Sequence, residues 1–192
     1  MQHGTFSQYH LGYSYPNRKS LDYFPDEFYV WNNYWKNLIE LPIPNENVKI
    51  YPFKYLENEK SKYQCDKIQN QMVVLCQGGL TNRIAKKILD NIEKFNKYKI
   101  IFKLHPEEYG KSNKYENLMK LKSILNITIV ENVNLYELLA RSEYQAGVFS
   151  TALYEGIEFQ CKTILFNLSG IEYMDKFIAH NNLQLDGNIY VS

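Results

Sequence analysis

The strongest constraint on the fold is a regular exchange of short apolar runs and amphipathic segments that begins near residue 71. "MVVLC" (72–76), "YKIIFKLH" (98–105), "ITIV" (127–130), "YQAGVF" (144–149) and "KTILFN" (162–167) are too short for core helices and rich in β-branched or aromatic residues. The segments between them carry helical spacing. "RIAKKILDNIEKF" sets Ile84, Ile88, Leu89, Ile92 and Phe95 on one stripe, and "NLYELLARS" groups Leu135, Leu138 and Leu139. "KYENLMKLKSIL", a segment opening at Ser150-Thr151, and "GIEYMDKFIAHN" supply further helices, and "NIYV" offers a short sixth strand. Strands joined by helical crossovers run parallel, and a parallel sheet is covered on both faces. Residues 71–192 are therefore expected to form an α/β, Rossmann-like parallel sheet with helices on both faces.

Residues 1–56 differ in character. "YPNRKSLDYFPDEFYVWNNYW" is dense in aromatics and prolines, with strands expected only near Glu27–Val30 and Val48–Tyr51. This irregular aromatic-rich segment reads as a remnant of an amino-terminal domain or an interdomain piece. The polar stretch "LENEKSKYQCDKIQNQ" places a linker at 57–70. Hydrophobic residues make up 45% of the 192, enough to build a core. A net charge of +1 with no block of about five or more like charges argues against a nucleic-acid surface, though not against one small anion pocket. Three widely spaced cysteines form no disulfide framework and no metal-ligand spacing, so neither a secreted scaffold nor a bound metal is expected. No apolar run approaches the roughly 18 residues of a membrane span, and the chain reads as cytoplasmic.

In an open parallel sheet, ligands bind beyond the carboxyl ends of the strands. The first strand ends in "QGGLTNR". Gly78 and Gly79 allow a backbone to approach an anion, the following helix offers free N–H groups, and Asn82 and Arg83 stand in its first turn. A cation there opposes the helix dipole, which a bound anion would explain. The second strand ends in His105-Pro106-Glu107, where proline holds His105 extended at the rim and the imidazole can donate to a phosphate. Lys103, one pleat deeper on the same face, is a weaker second candidate. The fourth ends in "FSTALYEGIEF". Ser150 is a good N-cap, and Thr151 and Glu155 share a helix face suited to a phosphate and the hydroxyls of a ribose. Gly156 within that helix costs about 1 kcal/mol relative to alanine and implies a close approach. Each residue has an ordinary structural explanation when taken singly: a Gly-Gly turn, a histidine bound to its own loop, a capping serine. Three such strand ends on one rim describe a pocket for a nucleotide bearing at least one phosphate.

These residues carry a resemblance. "VENVNLYELLARSEYQAGVFSTALYEGIEFQCKTILF" resembles the carboxyl-terminal, nucleotide-binding half of GT-B glycosyltransferases. With "KLHP" it is similar to bacterial sialyltransferases and capsule polysaccharide transferases, which share His-Pro and Ser-Ser/Thr motifs. "QHGT" and "HLGYSYP" resemble a His-Gly segment of surface-polysaccharide transferases, and CDP-glycerol phosphotransferases pair such a histidine with a His-Pro one. The resemblance implies an enzyme using a CMP-linked donor without metal or other cofactor, in surface polysaccharide or lipooligosaccharide synthesis. His105 would contact donor phosphate, Ser150 and Thr151 would hold phosphate or sugar carboxylate, Glu155 would bind ribose, and His3 would stand near the reacting centre. The partners implied are a nucleotide-sugar donor and a glycan acceptor, with peripheral association at the inner face of the bacterial membrane and a homodimer left open. The acidic general base of the sialyltransferases has no counterpart here, so the chain is expected to lack the acceptor domain and complete catalysis. The open alternatives are a CDP-glycerol or polyol phosphotransferase, a UDP-sugar or 2-epimerase-like protein, and a non-enzymatic module whose aromatic arm is an interaction surface.

Overall fold

In the computed structural model, which describes residues 1–2 and 4–192, the aromatic segment and the alternating segment build two adjoining sheets. The first is small: β1 (Phe28–Val30) and, after α1 (Asn33–Leu38), β2 (Val48–Ile50), paired in parallel with Phe28 opposite Val48. Helix α2 (Lys54–Lys62) leads into the main sheet through β3 (Ile68–Leu75). There follow α3 (Thr81–Leu89), α4 (Ile92–Phe95), β4 (Lys99–Lys103), α5 (Glu116–Ile124), β5 (Ile127–Val130), α6 (Leu135–Arg141) and β6 (Ser142–Gly147). The chain finishes with α7 (Thr151–Glu158), β7 (Lys162–Phe166), α8 (Asp175–His180), β8 (Gln184–Asp186) and β9 (Ile189–Val191).

The main sheet has seven strands in the order β5-β4-β3-β6-β7-β9-β8, parallel from β5 through β7 and closed at one edge by antiparallel β9 and β8. Strand periodicity splits its side chains between two cores. Met72 and Val74 point to one face, beneath Ile84 and Ile88 of α3 and Leu118 and Leu121 of α5. Val73 and Leu75 point to the other, with Leu139 of α6, Leu153 of α7 and Phe177 of α8. All these but Leu75 and Phe177 are fully removed from solvent, and each such aliphatic side chain contributes about 1.5–3 kcal/mol on burial. The chain leaves β3 toward β4 on one side and later returns to place β6 on the other, so the crossover direction reverses between β3 and β6. A crevice opens at such a reversal.

The small sheet sits against this domain rather than apart from it. Phe6, Phe28, Val30, Trp35, Leu38, Ile39 and Val48 form its core, and the Trp35 ring lies 4.8 Å from that of Tyr154 on α7. Gln2, itself buried, donates its backbone N–H to Tyr29 and accepts from the Trp31 N–H, laying the start of the chain along β1.

Four details differ from expectation. Residues 57–70 are no bare linker. Most of α2 lies there with Glu59 buried and Leu56 beside it packed into the second core, and β3 already begins at Ile68. The stretch's polarity reflects the exposed side of a helix with few inward positions. The long helix expected over 83–95 breaks at Asp90-Asn91, where Asn91 leaves helical geometry and its amide donates to the Lys87 carbonyl. The segment before α8 is a tighter turn, Ile171–Met174. The strand expected at "NIYV" pairs with β8, which its exposed, mixed sequence did not disclose.

Candidate functional site

The crevice between the ends of β3 and β6 is an open cleft of about 530 Å³. Its floor is held by Gln77, whose Oε1 accepts the Phe149 N–H at 3.1 Å and ties the loop after β3 to the loop after β6. At Gly79 the φ of +81° turns the chain into α3. At Gly78 an added Cβ would meet the Glu107 carboxylate at 3.2 Å, so a side chain there would crowd the loop after β4.

His105 reaches the cleft from the end of β4. Pro106 leaves it extended, with φ −67° and ψ 146°, at the head of a short 3-10 turn, Pro106–Glu108. Its Nδ1 accepts the Glu107 N–H at 3.4 Å, while the buried Glu108 carboxylate accepts the His105 N–H at 3.1 Å and the Tyr115 hydroxyl at 2.8 Å. This reciprocal cap fixes the loop. An imidazole that accepts at Nδ1 carries its hydrogen on Nε2 when neutral, so His105 offers an N–H to the cleft. The Glu107 carboxylate lies 3.7 Å from the same nitrogen.

The third wall is the start of α7. Ser150 caps it, its Oγ accepting the Ala152 N–H at 3.3 Å. The Thr151 hydroxyl shares a hydrogen bond of 2.9 Å with that of Thr5, which brings the amino-terminal segment to the cleft edge. Among the described residues that line the cleft there is no lysine or arginine. The Glu107 carboxylate also lines it, and the head of α7 contributes partial positive charge.

Of the sequence candidates, Gly78, His105, Ser150 and Thr151 line this cleft together. Gly79 and Pro106 shape its loops without lining it among the described residues. The Asn82 Oδ1 accepts the Asn117 N–H at 2.8 Å, and Arg83 stands on the exposed face of α3 away from the cleft. Lys103 is spent on structure: its ammonium donates to the carbonyls of Leu104 and Glu131 and to the Tyr109 hydroxyl. His3 lies outside the described residues.

Glu155 borders a second cavity of about 370 Å³ farther along α7, lined among others by Trp31, Phe53 and Phe177. Burial raises its carboxyl above the usual range, opposed by the nearby Tyr136 hydroxyl. Thr151 and Tyr154 border both cavities, so the two adjoin across the start of the helix. Gly156 answers to packing: an added Cβ would lie 1.9 Å from Oε1 of the fully buried Gln145.

Several cleft residues were not among the sequence candidates. Gln77 directly follows the first strand, a position that favours function in this topology. Phe149 and Tyr173, their rings 5.5 Å apart, wall one side. His10 comes from the aromatic segment, whose path to the cleft depends on contacts distant in sequence.

No family model matches the chain. An uncharacterized protein of Methanocaldococcus jannaschii is 29% identical over 136 residues, which cover 68% of this chain and 24% of that protein. Among solved structures, the UDP-GlcNAc 2-epimerase of Methanocaldococcus jannaschii matches with a TM-score of 0.46 and 17% identity, over 74% of this chain and 46% of its own. KpsC of Thermosulfurimonas dismutans, a beta Kdo 2,4 transferase, matches with a TM-score of 0.39 and 15% identity, over 59% of this chain and 44% of its own. The chain thus spans about a quarter of the curated relative it matches and under half of each solved structure.

Proposed function

We propose that the cleft binds the phosphate of a nucleotide-linked sugar donor, and that this chain is the donor-binding part of a sialyltransferase-like glycosyltransferase acting in surface polysaccharide synthesis. One observation carries this: Gly78, His105 and Ser150-Thr151, from three strand ends far apart in sequence, line one cleft at the reversal point of a parallel sheet. The cleft offers an imidazole N–H, two hydroxyls and the positive end of the dipole of an eight-residue helix, each favourable to an anion. Without lysine or arginine among its described lining residues, it suits the single negative charge of a phosphodiester such as a CMP-linked sugar.

In the transfer reaction the bond from the sugar carbon to the phosphate oxygen breaks as the acceptor oxygen attacks, and charge gathers on the departing phosphate. On this reading the His105 Nε2–H and the head of α7 would stabilise that charge. A preorganised donor of this kind is worth about 3 kcal/mol in a transition state. The acceptor's proton passes to a general base. Glu155, bordering the adjoining cavity beyond Thr151, is the candidate for the ribose hydroxyls.

Calorimetry with CMP, CDP, UDP and ADP tests the assignment. CMP or CDP should bind best, and His105→Ala should weaken binding roughly 10- to 100-fold, the scale of one hydrogen bond to a charged group. Preference for UDP would move the assignment to a UDP-sugar enzyme, and absence of binding by all four would overturn it.

A further inference from the structure

We propose that His10 is a second phosphate-binding residue of this cleft, donating from Nε2 as His105 does. The inference rests on the nucleotide site proposed above. Both histidines line the cleft, and both have Nδ1 occupied in the same way. His105 accepts the N–H of Glu107, two residues on, and His10 accepts the N–H of Gly12, two residues on, at 3.2 Å. With Nδ1 an acceptor, the neutral ring carries its hydrogen on Nε2.

The His10 ring is also held in place. It packs at 4.7 Å against Tyr13, which in turn lies 4.8 Å from Phe6 and 5.5 Å from Phe28 in the small-sheet core. Turns bracket it, since its N–H donates to the Ser7 carbonyl and its carbonyl accepts the Tyr13 N–H. Gly12 permits this arrangement, because an added Cβ there would lie 3.3 Å from Cε1 of the ring. The His10 side chain is exposed to solvent at the cleft while its ring stays packed on Tyr13. Here a donor from the amino-terminal segment lines the same cleft as one from the main sheet.

Two substitutions separate this role from a structural one. Asparagine can keep an acceptor near the Nδ1 position and so preserve the turn, but it has no donor at Nε2. Glutamine places an amide N–H near Nε2. His10→Asn should weaken CMP binding by calorimetry roughly 10-fold or more, with an unchanged melting temperature, while His10→Gln should retain most of the affinity. Wild-type affinity in His10→Asn, alongside weakened binding in His105→Asn, would overturn the role of His10 and leave the nucleotide site standing. Equal losses in both His10 variants with a lowered melting temperature would show a structural residue and also overturn it. If the wild-type chain binds no CMP, the nucleotide site and this role fall together.

Discussion

Gly156→Ala isolates the packing that holds α7, and hence the head of the helix, in register with the sheet. Gly156 is buried against β6, and the new Cβ would stand 1.9 Å from Oε1, 2.5 Å from Cδ and 2.9 Å from Nε2 of Gln145. Contacts that close do not occur, so either α7 lifts or Gln145 turns away by more than an ångström. Gln145 is not free to turn at low cost. It has no solvent exposure, and its Nε2 donates to the Leu153 carbonyl at 2.8 Å and the Thr163 hydroxyl at 3.0 Å. Breaking both leaves buried polar groups unpaired, at about 1–3 kcal/mol each. Alanine returns only about 1 kcal/mol of helix propensity. The expected net loss is about 3 kcal/mol, or roughly 6–12 °C in melting temperature for a domain of this size. Urea unfolding should show that loss, and it should shrink markedly when Gln145→Ala is added, because the clash partner is gone. A Gly156→Ala chain more stable than wild type, or one whose loss is the same with and without Gln145, would refute the packing explanation.

Three further outcomes follow from the same structure. Glu155 has its carboxyl pKa raised by burial, so the folded state holds its proton more tightly than the unfolded one. Its contribution to stability is therefore present at low pH and declines as pH rises from about the ordinary 4.5 through the raised value. Glu155→Gln should remove that decline in pH-dependent urea unfolding, and an unchanged profile would contradict it. Cys65 is exposed, whereas burial pushes the Cys76 thiol up to about 12 and also raises Cys161. Iodoacetamide at neutral pH should label Cys65 alone until the chain is unfolded, as mass spectrometry would show. Lys103→Met removes three hydrogen bonds, one of which, to the Glu131 carbonyl, joins the loops after β4 and β5. It should cost stability, roughly 1–3 kcal/mol, while leaving nucleotide affinity nearly unchanged; a selective loss of affinity would return Lys103 to the site.

Much of the main sheet was legible because its strands are short, apolar and separated by helix-period segments, as "MVVLC" and "RIAKKILDNIEKF" illustrate. The rim residues followed from topology, since the residues after each strand must gather at one edge. What the sequence concealed depended on contacts distant along the chain. Helix α2 looked like a linker because its inward residues, Leu56 and Glu59, are few. His10 could not be placed because the aromatic segment reaches the cleft through the Thr5–Thr151 contact and packing around Tyr13. Glu155 shares a helix face with Thr151, yet one turn along the axis it borders only the second cavity while Thr151 borders both, a distinction that spacing alone does not make.

The most direct test maps where a nucleotide lands. Adding CMP to isotope-labelled protein and following amide and imidazole resonances by NMR distinguishes the two cavities residue by residue. Shifts centred on Gly78, Ser150, Thr151 and the ring nitrogens of His105 are the predicted result. No shifts on CMP addition, or shifts confined to the cavity around Trp31 and Phe53, would contradict a phosphate site at the sheet's reversal point.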